Sequence, residues 1–120
     1  MSQAHSIPDA VLDELFQNHE FPASITTAAP RVAVVLTQGW CPEWVDMASW
    51  LKPDYDGAKV FQLIYDKHPR FNEIRAFKEK VFKSHAIPYV RYYHDGKLAA
   101  ESFYVWEDEF QKLLTMGNAG

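Results

Sequence analysis

Val32 to Thr37, Val-Ala-Val-Val-Leu-Thr, is an unbroken apolar and β-branched run. A strand that is apolar without alternation has both faces covered, so this run demands a sheet with helices on either side. The chain then breaks at Gly39 and delivers its only cysteine, Cys41, to Pro42. Proline suits the first position of a helix, where its missing N–H has no partner to lose. Cys41 is therefore expected at a helix N-terminus, where free backbone N–H groups and the helix dipole favour an anionic sulfur.

The rest of the chain arranges itself around this run. Residues 1–7 read as a loose tail. Pro8 and Asp9 open a helix with Ile7, Val11, Leu12, Leu15 and Phe16 at helical spacing, ending near His19. Phe21 to Pro30 reads as a connection with room for one short extended piece. Val45, Met47, Ala48, Trp50 and Leu51 make the helix after Cys41 apolar, and Pro53 stops it. Pro53 to Gly57 is a turn cluster, and Lys59 to Tyr65 is the second central strand. Phe71, Ile74, Phe77 or Lys78, Val81 and Phe82 trace one face of a further helix. Tyr89 to Tyr93 and Leu98 to Tyr104 form a hairpin about the Asp95-Gly96 turn. Trp106, Phe110, Leu113 and Leu114 form the inner face of a last helix, which Gly117 ends. A strand-helix-strand unit pairs in parallel, and the hairpin adds antiparallel strands. The expected architecture is α/β: one domain over 1–120, a mixed four-stranded sheet with helices on both faces.

Bulk properties exclude several function classes. The 120 residues are 48% hydrophobic, the content of a globular chain. A formal charge of −4 gives no basis for a nucleic-acid or anionic-membrane partner. No apolar run reaches transmembrane length, and no basic-then-apolar leader is present, so a cytoplasmic location is expected. One cysteine excludes an intrachain disulfide and a cysteine-based zinc cage. No histidines or carboxylates show metal-ligand spacing, and phosphate-loop, dinucleotide and serine-elbow motifs are missing. No metal or cofactor is expected.

Three signals occur in order: Trp40-Cys41-Pro42-Glu43-Trp44 after a buried strand, Ile87-Pro88-Tyr89 before another, and the Asp95-Gly96-Lys97 turn. With them the chain resembles the thioredoxin superfamily, and the element order agrees from Val32 to Leu114. The resemblance implies a thioredoxin-like fold, a cis bond before Pro88, and Pro88 beside Cys41 in a groove that holds a partner's extended chain. It also exposes departures. Trp44 stands where the second cysteine of Cys-x-x-Cys belongs. Val35 replaces the buried acid. Gln62 aligns with a frequent lysine, Tyr89 with the threonine after the cis-proline, and Tyr104 with a glycine. The glutathione-site pattern of monothiol relatives, a Val before the cis-proline and a Gly-Gly-Asp-like turn, is replaced by Ile87 and by Glu101-Ser102-Phe103.

Two functions are consistent with these residues. In the first, Cys41 performs monothiol exchange with a protein or peptide thiol or disulfide client. A mixed disulfide then has no internal thiol to resolve it, so turnover needs glutathione or a second cysteine on the client. In the second, the same groove is a non-catalytic binding or chaperone-type module and Cys41 is incidental. Trp40, Pro42, Trp44, Ile87, Pro88 and Tyr89 are the expected groove residues, since aromatics enrich binding surfaces. Each has a plainer reading: a buried cysteine is an ordinary core residue, and Trp44 can simply fill the gap left by the missing cysteine. His85 would activate Cys41 if the two side chains met, and Glu43 would oppose a thiolate if its carboxylate approached the sulfur.

Overall fold

The protein's structure is a computed structural model that describes residues 3–115. In chain order the elements are β1 (His5–Ser6), α1 (Val11–Asn18), α2 (Ala23–Thr26), β2 (Arg31–Thr37), α3 (Pro42–Trp50), β3 (Asp54–Tyr55), β4 (Ala58–Ile64), α4 (Phe71–Lys80), β5 (Tyr89–His94), β6 (Lys97–Ser102) and α5 (Glu107–Thr115). The strands form one mixed sheet in the order β1-β4-β2-β5-β6, with β3 also on β4. β2 runs parallel to β4 and antiparallel to β5. The expected four long strands are all present. Two short pieces extend the sheet beyond β4.

β2 is central because its side chains serve both layers. Val32, Val34 and Leu36 enter one core with Leu12, Leu15, Ile25, Ile74 and Phe82. Ala33 and Val35 enter the other with Trp44, Met47, Phe110 and Leu114. Thus α1, α2 and α4 cover one face, and α3 and α5 cover the other. Strand alternation divides β5 in the same way: Tyr89 and Tyr93 face the first core, Val90 and Tyr92 the second.

Four expectations need correction. The tail expected over 1–7 is ordered across 4–7: His5–Ser6 pair in parallel with Phe61 and Gln62, and Ala4 and Ile7 are buried. Residues 1 and 2 lie outside the described residues. The turn cluster after Pro53 carries β3, which pairs antiparallel with the start of β4. The connection from Phe21 holds one helical turn, α2, started by an extended Pro22. Trp106 is 72% exposed and precedes α5 instead of lining its inner face; Phe110 and Leu114 are the residues α5 buries. The expected stop at Gly117 lies outside the described residues. Among these, no helix is long and apolar enough to cross a membrane.

Candidate functional site

The C-terminal ends of the central parallel strands β2 and β4 open onto a loop, Gln38 to Cys41, that leads into α3. Gly39 N–H donates to Asp66 Oδ1 at 2.9 Å, which pins the loop to the end of β4. Cys41 N–H donates to the Gln38 carbonyl at 3.2 Å, and Val45 N–H to the Cys41 carbonyl at 3.0 Å. Cys41 is the extended N-cap of α3 and Pro42 its first helical residue, because a proline there loses no hydrogen bond. The Ile87–Pro88 peptide bond is cis. The Ile87 carbonyl accepts a weak hydrogen bond from Cys41 Sγ at 3.9 Å. Residues far apart in sequence therefore meet at one edge of the sheet.

Cys41 is only 5% exposed. Its neighbours in the core include Trp44, Val35 and Val90, all apolar. Val35 stands six residues before Cys41 on β2 and supplies no proton acceptor. His85 turns elsewhere: its Nδ1 lies 3.7 Å from Glu79 Oε1, and the ring is largely in solvent. Glu43 is exposed at the start of α3.

The expected groove residues separate into three groups. Trp40 is 64% exposed, its indole N–H held by Gln38 Oε1 at 2.7 Å. Pro42 is exposed beside it, and Ile87 is half-buried. Trp44 is 4% exposed and belongs to the same buried cluster as Cys41, so its indole fills space instead of presenting a surface. Pro88, which follows Ile87 in sequence, is buried. Tyr89 is a correction: its ring enters the opposite core, against Phe82 and Phe103. Its hydroxyl donates to Glu101 and accepts from Arg91 Nη1 at 2.8 Å. Burial raises its phenol above the ordinary tyrosine range. A strand residue adjacent to Pro88 has one choice of face, and Tyr89 takes the face away from Cys41.

Tyr104, where the resemblance places a glycine, bonds through its hydroxyl to Asp46 of α3. That contact ties the β6–α5 connection to the site helix. Gln62 is half-buried on β4, and its side-chain Oε1 has no partner among the described residues.

Sequence reasoning missed the residues that build the far wall. Lys78 of α4 is 1% exposed, and its Nζ donates to the Ser84 carbonyl at 2.8 Å and the Ala86 carbonyl at 3.2 Å. These bonds hold the loop that leads to Ile87. Burial lowers the Lys78 ammonium below the ordinary lysine range. The one signal was a lysine at an apolar position of the α4 stripe. Between Trp40 and α4 lies a cleft of about 320 Å3 whose walls include Gln38, Tyr65, Arg75, Lys78 and Ile87. Trp40 also borders a second hollow, of about 420 Å3, with Ile64 and Asp66. The exposed Trp40 thus lines two concavities.

Comparison with known proteins turns on this architecture. No family model and no curated protein matches the chain. Solved structures do. Oxidised thioredoxin O1 from Arabidopsis thaliana aligns with 92% of this chain and 93% of its own at a TM-score of 0.64 and 10% identity. The chain has the thioredoxin fold. Thioredoxin F from spinach chloroplast, in its short form, aligns with 92% of this chain and 89% of its own at a TM-score of 0.64 and 11% identity. A chain from a structure on thiol resolution in yeast mitochondrial 1-Cys peroxiredoxin aligns with 93% of each chain, at a TM-score of 0.64 and 16% identity. Within the thioredoxin fold, this chain carries an apolar Cys41 environment and a tryptophan at position 44.

Proposed function

We propose that the protein works in thiol–disulfide chemistry with protein clients through Cys41 alone, holding the client along Trp40, Pro42 and Ile87. The observation that carries this reading is the placement of Cys41 at the N-cap of α3, with Sγ against the Ile87 carbonyl, on a thioredoxin fold. The Cys41 thiolate attacks one sulfur of a client disulfide. The client S–S bond breaks, its other sulfur leaves as a thiolate, and a mixed disulfide joins client and Cys41. Cys41 is the chain's sole cysteine, so an external thiol must attack next. Glutathione fits that step: its thiolate attacks the client sulfur, releases the Cys41 thiolate and leaves a client–glutathione disulfide, whereas a client cysteine other than the one that left would release Cys41 with a rearranged client disulfide. Without an acid at position 35, proton transfer falls to solvent.

A second reading has its own support. Cys41 and Trp44 are both almost fully buried in an apolar core, as suits a non-catalytic module that uses the same face to bind. Intact-mass spectrometry separates the two. On exposure to a peptide carrying an activated aryl disulfide, the protein should gain one peptide mass, and Cys41→Ser should gain none. Insulin reduction with dithiothreitol should stay near the uncatalysed rate in both. An unmodified wild-type protein after prolonged exposure would leave the binding module as the function.

A further inference from the structure

The cleft between Trp40 and α4 has more hydrogen-bond donors than acceptors. Tyr65, at the end of β4, is fully buried, lines the cleft, and has no hydrogen-bond partner for its hydroxyl. The Gln38 side chain lies close enough to interact with it as a hydrogen-bonding group, but outside regular hydrogen-bond geometry. A buried hydroxyl without a partner is uncommon and points to something that completes it. Lys78 lines the same cleft and carries three N–H donors, of which the Ser84 and Ala86 carbonyls take two. Arg75 gives its Nε–H to Glu79 Oε2 at 3.2 Å, and its two terminal nitrogens have no partner among the described residues. Against these donors stands one carboxylate, Glu79, already shared between Arg75 and His85. Burial raises the Tyr65 phenol, so its proton stays on the oxygen. Trp40 closes the side nearest Cys41 with an exposed aromatic wall.

We propose that this cleft binds a carboxylate on the client chain, an Asp or Glu side chain, with Tyr65, Arg75 and Lys78 as donors and Trp40 as the apolar wall. The proposal rests on the reading that a client lies across Cys41 and Ile87, and it names the client class: acidic segments. A carboxylate accepts several hydrogen bonds at once and matches a guanidinium geometrically, which a neutral amide does not. The chain as a whole carries −4, so its overall field opposes an acidic peptide. Any preference for acid must therefore come from local groups.

Two fluorescein-labelled peptides test this, Gly-Glu-Ala-Glu-Ala-Ser-Ala-Gly and its counterpart with both Glu replaced by Gln. Anisotropy titrations at low salt should show the acidic peptide binding about ten-fold tighter. Tyr65→Phe removes only an oxygen, and Arg75→Gln lies on the solvent side of α4, so both should fold, as a melting curve checks. Each should bring the ratio towards one, while Lys97→Gln, on the remote hairpin, should leave it unchanged. Equal binding of the two peptides, or an acidic preference that survives both cleft substitutions, overturns the proposal. The same peptides with Cys in place of Ser, activated as aryl disulfides, report separately on exchange. Adducts formed without acidic preference leave the exchange reading intact and the cleft assignment wrong; acidic preference without adducts does the reverse.

Discussion

Trp44 illustrates how a single residue decides what the site can become. Its indole is part of the same buried cluster as the site cysteine, with Met47, Val35, Val90 and Phe110. Restoring a dithiol by Trp44→Cys would therefore remove a large buried ring as well as add a sulfur. Large-to-small changes of this kind lose the transfer energy of the missing atoms and leave a cavity. We expect Trp44→Ala to lower stability by about 3–5 kcal/mol in urea denaturation, and Trp44→Cys by a similar amount. A loss below about 1 kcal/mol would show that the indole is dispensable for packing and available as a surface. Tyr89 follows the same logic on the other face. Because its ring packs with Phe82 and its hydroxyl bonds to Arg91 and Glu101, substituting it tests the core and not a client contact.

At the scale of elements, the β5–β6 hairpin shows local chemistry and tertiary packing agreeing. Asp95 and Gly96 both have positive φ, 53° and 84°, as a two-residue turn matched to strand twist requires. Asp95 N–H also donates to the Pro30 carbonyl at 2.8 Å, and a Cβ on Gly96 would lie 2.8 Å from Thr27 Cγ2. Gly96→Ala thus meets an unfavourable backbone region and a steric clash together. Thermal melts should show a loss of about 1–2 kcal/mol, and an unchanged melting temperature would mean that the turn relaxes freely. This hairpin is legible from Asp-Gly between two β-rich runs, as β2 is from its unbroken apolar stretch. β1 and β3 are not, because two residues carry no periodicity and exist only through pairing with β4. The placement of Cys41 is legible because Pro42 marks a helix start. Which faces Trp44 and Tyr89 take is not legible, since a pattern of apolar residues on a doubly covered sheet fits either core. The donors of Lys78, Arg75 and Tyr65 converge only when α4 folds across the end of β4, and spacing along the chain holds no trace of that.

Across the whole molecule, proton linkage should make the protein alkali-sensitive. Tyr89 and Tyr93 on one face of β5 and Tyr92 on the other are almost wholly buried, and burial raises all three phenols well above the ordinary tyrosine range. In the unfolded chain the same phenols lose their protons near pH 10. Above that pH the folded state holds three protons that the unfolded state has released, so stability falls as pH rises. Each phenol contributes a slope of about 1.4 kcal/mol per pH unit, and three give about 4. Lys78 acts in the opposite direction. Its lowered folded pKa means that the unfolded state holds the extra proton, so stability gains as pH rises towards the unfolded lysine value near 10.5. Lys78 is one group against these three, the raised phenol of Tyr65 adds to their side, and the lysine's window closes where theirs begins. A domain of about 5 kcal/mol stability should therefore lose its fold at roughly pH 11.5, and one of about 10 kcal/mol at roughly pH 12.5. Far-ultraviolet ellipticity and tyrosinate absorbance at about 295 nm should change together, the absorbance step reporting the buried phenols as the sheet opens. Tyr92→Phe, which removes one phenol and its bond to Ser102, should make the decline shallower by about 1.4 kcal/mol per pH unit. Full titration of all six tyrosines near pH 10 with ellipticity intact would place these hydroxyls in contact with solvent and refute the burial that sets the sign.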